Sequence, residues 1–508
     1  MTGGLEWPTR DLLAGRASTT PDATGLVDAD GDRSWTYRAF DRRVDAVAAR
    51  FESLVSGPDD RLGILMDTRV AFAEVYFAAM RLGVTIVPLN VRETAAELAP
   101  KVRRTAIDAL VCEAATEELA LEIGDCPIVS VDAPDRDGVD PLEPIDGASV
   151  TPVALERDDT HLLMFTSGTS GDPKAVRLTV GNLVASATAS AFRLGVLPAD
   201  RWLCCLPMYH MGGLAPIVRS TLYGTTAVIQ RVFDPHDTAR VVDEYDITGV
   251  SLVPTMCKRL LEAGWEPPDS LRFVLLGGAP ASGELLERCR ERGVPAHPTY
   301  GMTETASQIA TATPAETAAH EGTVGKPLSG TDVTVVDEDG TVLGPDEQGE
   351  LVVSGPTVTP GYLDAAETAA AFGDHGLHTG DVGYRDADGR LWVLNRRSDR
   401  IVTGGENVDP GEVVAALRSH PDVEDAAVVG LSDPEWGERV AALVVPEAGA
   451  AASLEPASLL AHCDERLAGF KRPKTIGVAD SLPRTASGTV DREEVRERLL
   501  TDGTDLSG

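Results

Sequence analysis

Nine consecutive residues, Thr166-Ser167-Gly168-Thr169-Ser170-Gly171-Asp172-Pro173-Lys174, carry the groups needed to grip a phosphate. Glycines let backbone N–H groups approach an anion, hydroxyls add donors, and the lysine adds a point charge. The spacing is not that of the Walker A loop. No G-x-x-x-x-G-K-[ST] frame fits, and Pro173 stands where that motif needs a glycine. Surface turns also favour Gly, Ser and Thr, so the loop by itself leaves cradle and turn both open.

Further segments offer related chemistry. Tyr300-Gly301-Met302-Thr303-Glu304-Thr305 supplies an aromatic to stack on a base, a hydroxyl for phosphate and a carboxylate for Mg²⁺. Gly277-Gly278-Ala279-Pro280 follows an apolar run at 271–276, and small residues there let a flat base lie against the backbone. A tight turn would use the same residues. Thr379-Gly380-Asp381 offers a carboxylate, expected at a strand end, to accept ribose hydroxyls. His210 closes a strand-like run before Gly212-Gly213, where it is either a packed or a working histidine. Arg219, in the apolar stretch Pro216-Ile217-Val218-Arg219-Ser220, needs a carboxylate partner if buried. That partner is either an Asp or Glu of this acidic chain or a ligand.

The elements that must position these groups read as alternating helices and strands. Amphipathic spacing predicts a helix over 37–54, a short strand at 62–66, a helix over 70–82 ending at Gly83, and a strand at 84–89. The runs flanking the glycine loop, 161–165 and 175–179, read as strands, and 182–194 as a helix. Such alternation argues for largely parallel sheets with covering helices. The Asp-, Pro- and Gly-rich stretch 132–150 reads as an exposed linker. After about residue 400 comes a separate small α/β domain, with a helix at 411–418 and strands around 426–429 and 440–445.

Size and charge narrow the class. At 508 residues the chain exceeds a single ordinary domain. No apolar run approaches the roughly 18 residues of a membrane span. The first residues lack a basic-then-apolar leader, so a cytoplasmic location is expected. Seven scattered cysteines without ligand spacing favour reduced structural thiols over a metal site. Asp and Glu number 80 against 45 Lys and Arg, a formal charge of -35 that repels nucleic acid and anionic membrane. Lysine occurs only at 101, 174, 258, 326, 471 and 474. An acidic, lysine-poor surface predicts a halophilic source, because about 1 M salt shortens the screening length to roughly 3 Å and makes self-repulsion tolerable.

Taken in order, the motifs from Thr166 to Gly488 resemble those of the adenylate-forming superfamily, which includes acyl-CoA synthetases and peptide-synthetase adenylation domains. Tyr300 to Glu304 is similar to its Y-G-x-T-E segment, and 394–402 resembles its interdomain hinge, with Asn395 where a glycine is usual. Arg219, the segment 206–214 and the Ser307-Gln308 extension are similar to its o-succinylbenzoate–CoA ligase branch, which serves menaquinone synthesis.

The resemblance implies a large N-terminal AMP-binding domain over 1–395, a hinge at 396–401 and a small mobile C-terminal domain over 402–508. It implies ATP, Mg²⁺ and coenzyme A. Thr166 through Lys174, including Ser167, Gly168, Thr169, Ser170 and Gly171, would hold the β- and γ-phosphates. Thr303 and Glu304 would face the α-phosphate and Mg²⁺, with Thr166 a further metal contact. Tyr300, Gly301, Gly278, Ala279 and Pro280 would face the base, and Asp381 and Arg396 would hold the ribose. Gly404-Gly405 would face CoA. His210, Arg219, Gly277, Ser307 and Gln308 would line the acyl pocket, Arg219 meeting the second carboxylate of a dicarboxylic acid.

One position departs from the pattern. The family's P-x-T-x-x-G-K segment reads Pro483-Arg484-Thr485-Ala486-Ser487-Gly488-Thr489, so Thr489 replaces a lysine that bridges carboxylate and α-phosphate. Losing one preorganised donor costs about 10²–10³ in rate. Lys471, Lys474, Arg484 and Arg492 are the cations that would substitute. Two alternatives therefore stand beside the succinylbenzoate ligase: a general aryl- or fatty-acyl-CoA ligase, and a nucleotide-binding pseudo-ligase.

Overall fold

The computed structural model describes residues 10–166, 173–281, 283–337, 339–396, 401–408, 410–447, 454–483 and 490–506, apart from the side chains of 395 and 396. Packing divides the chain into two units. The larger covers the chain to Leu394, and the second holds Asn395 onward together with Arg92–Lys101 and the loop-flanking Thr166, Pro173 and Lys174.

Two mostly parallel sheets build the larger unit. One has nine strands, and its parallel centre comprises Ala296–Tyr300, Phe273–Leu276, Gly249–Leu252, Arg201–Cys204, Thr226–Ile229 and Thr24–Asp28. The other has seven strands, with Arg61–Leu65 at its centre and Thr160–Thr166 and Lys174–Thr179 at one edge. Helix Val70–Leu82 reads VAFAEVYFAAMRL, apolar all round, and is buried along nearly its whole length. A helix with no polar face must be covered on all sides. Its two charged side chains are paired: Glu74 with Arg43, and Arg81 with Asp11 at 3.2 Å, Asp45 at 2.6 Å and Asp41.

Local reading and structure agree closely for these elements. The helix at 70–82 has the expected bounds, and Gly83 closes it at φ 72. The helix expected over 37–54 runs Tyr37–Phe51, buried through Phe40, Val44, Val47 and Phe51. The stretch 132–150 is more anchored than a linker. Arg69 grips Asp132 through two bonds of 2.8 and 2.9 Å, and Asp140–Pro141 adds an edge strand.

A third sheet of five strands, between Asp332 and Arg396, is antiparallel where its pairing is described and departs from the expected alternation. It carries Asp381, which lies inside the strand Gly376–Arg385 rather than at a strand end. The second unit contains a six-stranded sheet built on the hairpin Val423–Asp433 and Gly437–Pro446, with helices Pro410–Arg418, Pro456–Asp464 and Arg492–Asp502. Among the described residues no helix is long and apolar enough to cross a membrane.

Candidate active site

In the larger unit, the segment Tyr300–Ile309 folds back on itself. Ile309 N donates to Tyr300 O at 2.7 Å and Ser307 N to Met302 O at 3.3 Å. Gly301 is required by this reversal, because a Cβ there would sit 1.7 Å from Ser307 O. Ala306 and Ser307 take φ of 51 and 118, conformations that cost side-chain-bearing residues of order 1–3 kcal/mol. Ser186 Oγ secures the bend by donating to Ala306 O at 2.7 Å. Strain of this kind concentrates where a site must be held in shape.

The bend engages two acids, its own Glu304 and Asp381 of the strand Gly376–Arg385. Tyr300 Oη donates to Asp381 Oδ2 at 2.6 Å, so the expected base- and ribose-facing residues are physically joined. Asp381 is buried, and its backbone N donates to Thr379 Oγ1 at 3.0 Å. Thr303–Thr305 form a single tight turn in which Glu304 is buried and accepts a 3.1 Å bond from Tyr362 Oη. A buried carboxylate with hard oxygen donors suits Mg²⁺, which binds through one or two carboxylates plus substrate phosphates. Glu304 therefore fits the role of metal holder. Sequence reasoning passed over Tyr362, since nothing in its local spacing signals a contact 58 residues away.

Gly277 through Pro280 follow the strand Phe273–Leu276 as expected, and a Cβ on Gly277 would meet Thr299 Cγ2 at 2.8 Å. Gln308 is buried. Its Nε2 donates to Thr311 Oγ1 at 2.7 Å, while its Oε1 has no protein partner among the described residues. His210 departs from the expected setting. Its strand ends at Cys204, and the histidine instead caps helix Met211–Tyr223, its carbonyl accepting from Leu214 N at 3.0 Å. Pro207, which cannot donate to a strand ladder, lies in the turn that follows. The His210 ring meets Tyr209 edge-on at 4.9 Å.

Arg219 lies on the same helix, 2% exposed, its guanidinium carbon 5.3 Å from the centre of the Trp202 ring. No carboxylate pairs with it among the described residues, and one guanidinium nitrogen is buried without a partner. Burial lowers its pKa from the ordinary arginine value, opposed by the neighbouring Tyr223. Among the described residues, therefore, the internal ion pair left open by the sequence is not formed.

In the second unit, Thr166 ends the strand Thr160–Thr166 and Lys174 opens the next strand. Ser167, Gly168, Thr169, Ser170 and Gly171 lie outside the described residues, as do the Arg396 side chain, Arg484 and Thr489. Gly404 adopts φ +57, and its N donates to Trp436 O at 2.9 Å. With Gly405 it forms a turn against Trp436, over whose ring Lys474 Nζ sits at 4.3 Å. Lys471 is buried beside Glu97 at 2.9 Å and Glu412 at 3.1 Å, with Glu93 at 3.7 Å. Burial lowers its pKa, but these carboxylates outweigh that and push it above the ordinary lysine value, so Lys471 is a paired cation here.

The family model for AMP-binding enzymes matches residues 13–363, and that for the AMP-binding enzyme C-terminal domain matches 412–489. The 2-succinylbenzoate–CoA ligase of Geobacillus kaustophilus is 40% identical over 492 residues, which cover 96% of this chain and 97% of that protein. A double mutant of o-succinylbenzoate CoA synthetase from Bacillus subtilis, bound to a product analogue, superposes with a TM-score of 0.89 at 35% identity, covering 97% of this chain and 99% of that one. The same enzyme in complex with ATP and magnesium ion gives 0.73 at 34% identity, covering 97% and 99%.

Proposed function

As the chain belongs to the AMP-binding enzyme family, we propose that it ligates 2-succinylbenzoate to coenzyme A at the expense of ATP, a cytoplasmic step of menaquinone synthesis. The reaction has two halves. The substrate carboxylate attacks the α-phosphorus of ATP, forming an acyl-adenylate and releasing pyrophosphate. The CoA thiolate then attacks the acyl carbonyl, forming the thioester and releasing AMP. Neither half uses a protein nucleophile, so positioning and charge stabilisation carry the rate.

The roles divide accordingly. Tyr300, Gly301, Gly278, Ala279 and Pro280 receive the base, and Asp381 with Arg396 holds the ribose. Thr166 through Lys174 cradle the phosphates, and Thr303 donates to the α-phosphate. Glu304 would hold Mg²⁺, whose charge would offset that of the phosphates, and the resemblance adds Thr166 as a further contact. His210, Gly277, Ser307 and Gln308 shape the acyl pocket. Gly404-Gly405, with the half-exposed Trp436 ring and the Lys474 ammonium, offers a flat aromatic and a cation to the nucleotide end of CoA.

Arg219 is the observation that carries the choice of acid. A buried guanidinium without a carboxylate partner among the described residues is costly until an anion arrives. A dicarboxylic acid supplies one, and a fatty or simple aromatic acid does not. Thioester formation with succinylbenzoate, benzoate and octanoate, measured by mass spectrometry, tests this. Succinylbenzoyl-CoA and AMP should dominate; equal use of octanoate would refute the choice.

Thr489 favours a second reading, a protein that binds nucleotide without adenylating. ATP binding without any acid-dependent pyrophosphate release would establish it.

A further inference from the structure

Glu304 is held from two directions by one short segment. Tyr362 Oη donates to its carboxylate Oε1 at 3.1 Å, and Thr359 N donates to its backbone carbonyl at 2.7 Å. Tyr362 and Glu304 are each 6% exposed, so water does not compete freely for this bond.

The same segment is laced to the strand that leaves the glycine loop. Arg177 N donates to Gly361 O at 3.0 Å, and Leu363 N donates to Ala175 O at 2.8 Å. Val176 and Tyr362 form an antiparallel bridge between those bonds. Thr359 Oγ1 adds a bond to Arg177 O, and Tyr362 N donates to Thr368 Oγ1 at 2.9 Å. The Tyr362 backbone is thus fixed on both sides, and its hydroxyl is held at Glu304.

We propose that Tyr362 is a positioning residue that sets the Glu304 carboxylate for Mg²⁺·ATP and ties it to the strand leaving the phosphate loop. It rests on the reading of Glu304 as metal holder. A carboxylate turns easily about its last bond, whereas Mg²⁺ demands near-ideal octahedral geometry. A phenol donating to one oxygen removes that rotation. Being neutral, it leaves the negative charge available to the cation, which a lysine or arginine in its place would cancel.

The test reads metal binding without turnover. Full-length protein with a non-hydrolysable ATP analogue is titrated with Mn²⁺, and free Mn²⁺ is followed by electron paramagnetic resonance. Loss of a group that orients a metal ligand commonly weakens affinity about 10- to 100-fold, and Tyr362→Phe should do so. In a Glu304→Gln background the same change should cause no further loss. That comparison would decide even if Tyr362→Phe lowered Tm, because a general loosening would weaken both backgrounds alike. Wild-type affinity in Tyr362→Phe, with Glu304→Gln weakened, would overturn the proposal and leave Glu304 as metal holder. Additive losses in the double variant would also overturn it. Unchanged affinity in Glu304→Gln would instead remove the reading beneath it.

Discussion

Tyr300 donates its phenolic hydrogen to Asp381 Oδ2 across 2.6 Å, joining segments 81 residues apart in the chain. The bond orients a carboxylate that is 2% exposed and would otherwise lose a donor in a dry setting. Hydrogen bonds to charged groups contribute about 1.5–3 kcal/mol, or roughly tenfold or more in affinity. Tyr300→Phe keeps the ring, so it should raise the KM for ATP about tenfold and leave the KM for the acid near its wild-type value. Steady-state kinetics with each substrate varied in turn checks this.

Arg219 is burdened in the free protein and useful only with an anion beside it. Replacing a buried charge by an apolar side chain of similar volume is often neutral or stabilising. Arg219→Met should therefore melt at the same temperature or higher, while kcat/KM for succinylbenzoate falls about 100-fold. Turnover of a monocarboxylic acid should change less than threefold. Calorimetry and kinetics on one preparation separate these effects.

Thr489 replaces a cation at a developing charge. Thr489→Lys should speed adenylation, up to the about 10²–10³ attributed to one preorganised donor. Single-turnover release of pyrophosphate is the measurement, and an unchanged rate would show that another group already serves.

His161 makes the fold sensitive to acid. Its ring is fully buried against Tyr76, with centroids 4.8 Å apart, and Nδ1–H donates to Val84 O at 3.2 Å. Burial lowers its pKa from 6.5 to about 4, partly opposed by the Val84 carbonyl. The unfolded chain thus binds a proton that the native state refuses. The stability tied to neutral His161 is whole above pH 6.5 and is lost as pH falls towards about 4. The loss amounts to roughly 3 kcal/mol. His161→Leu should flatten urea-unfolding free energies across that window, even though its stability at neutral pH is lower.

A formal charge of -35 also predicts salt dependence. Raising KCl from about 0.1 M to 1 M shortens the screening length from roughly 10 to 3 Å. Tm should rise across that range, and a flat response would count against salt adaptation.

Elements with strong periodicity were legible in the sequence. Helix Val70–Leu82 and the buried strands beside it follow from apolar patterning, and Gly83 marks the stop. The antiparallel sheet around Asp381 was not legible, because glycines at 376, 380 and 383 interrupt its strand Gly376–Arg385 and the Gly- and Asp-rich turns beside it read as loop. His210 was misplaced since the apolar run 203–208 continues past the end of the strand at Cys204 into a turn. Within the site, residue types announced Tyr300, Glu304 and Asp381, but not that Tyr300 would bond Asp381 or that Tyr362 would hold Glu304. Those contacts join residues 81 and 58 positions apart, and only tertiary packing makes them.

Exchange of labelled pyrophosphate into ATP, with succinylbenzoate present and CoA absent, tests the central claim most directly. An acyl-adenylate that forms reversibly must return label to ATP only when the acid is supplied. Acid-dependent exchange in strong salt is the predicted result. ATP binding with no exchange under those conditions would contradict the account.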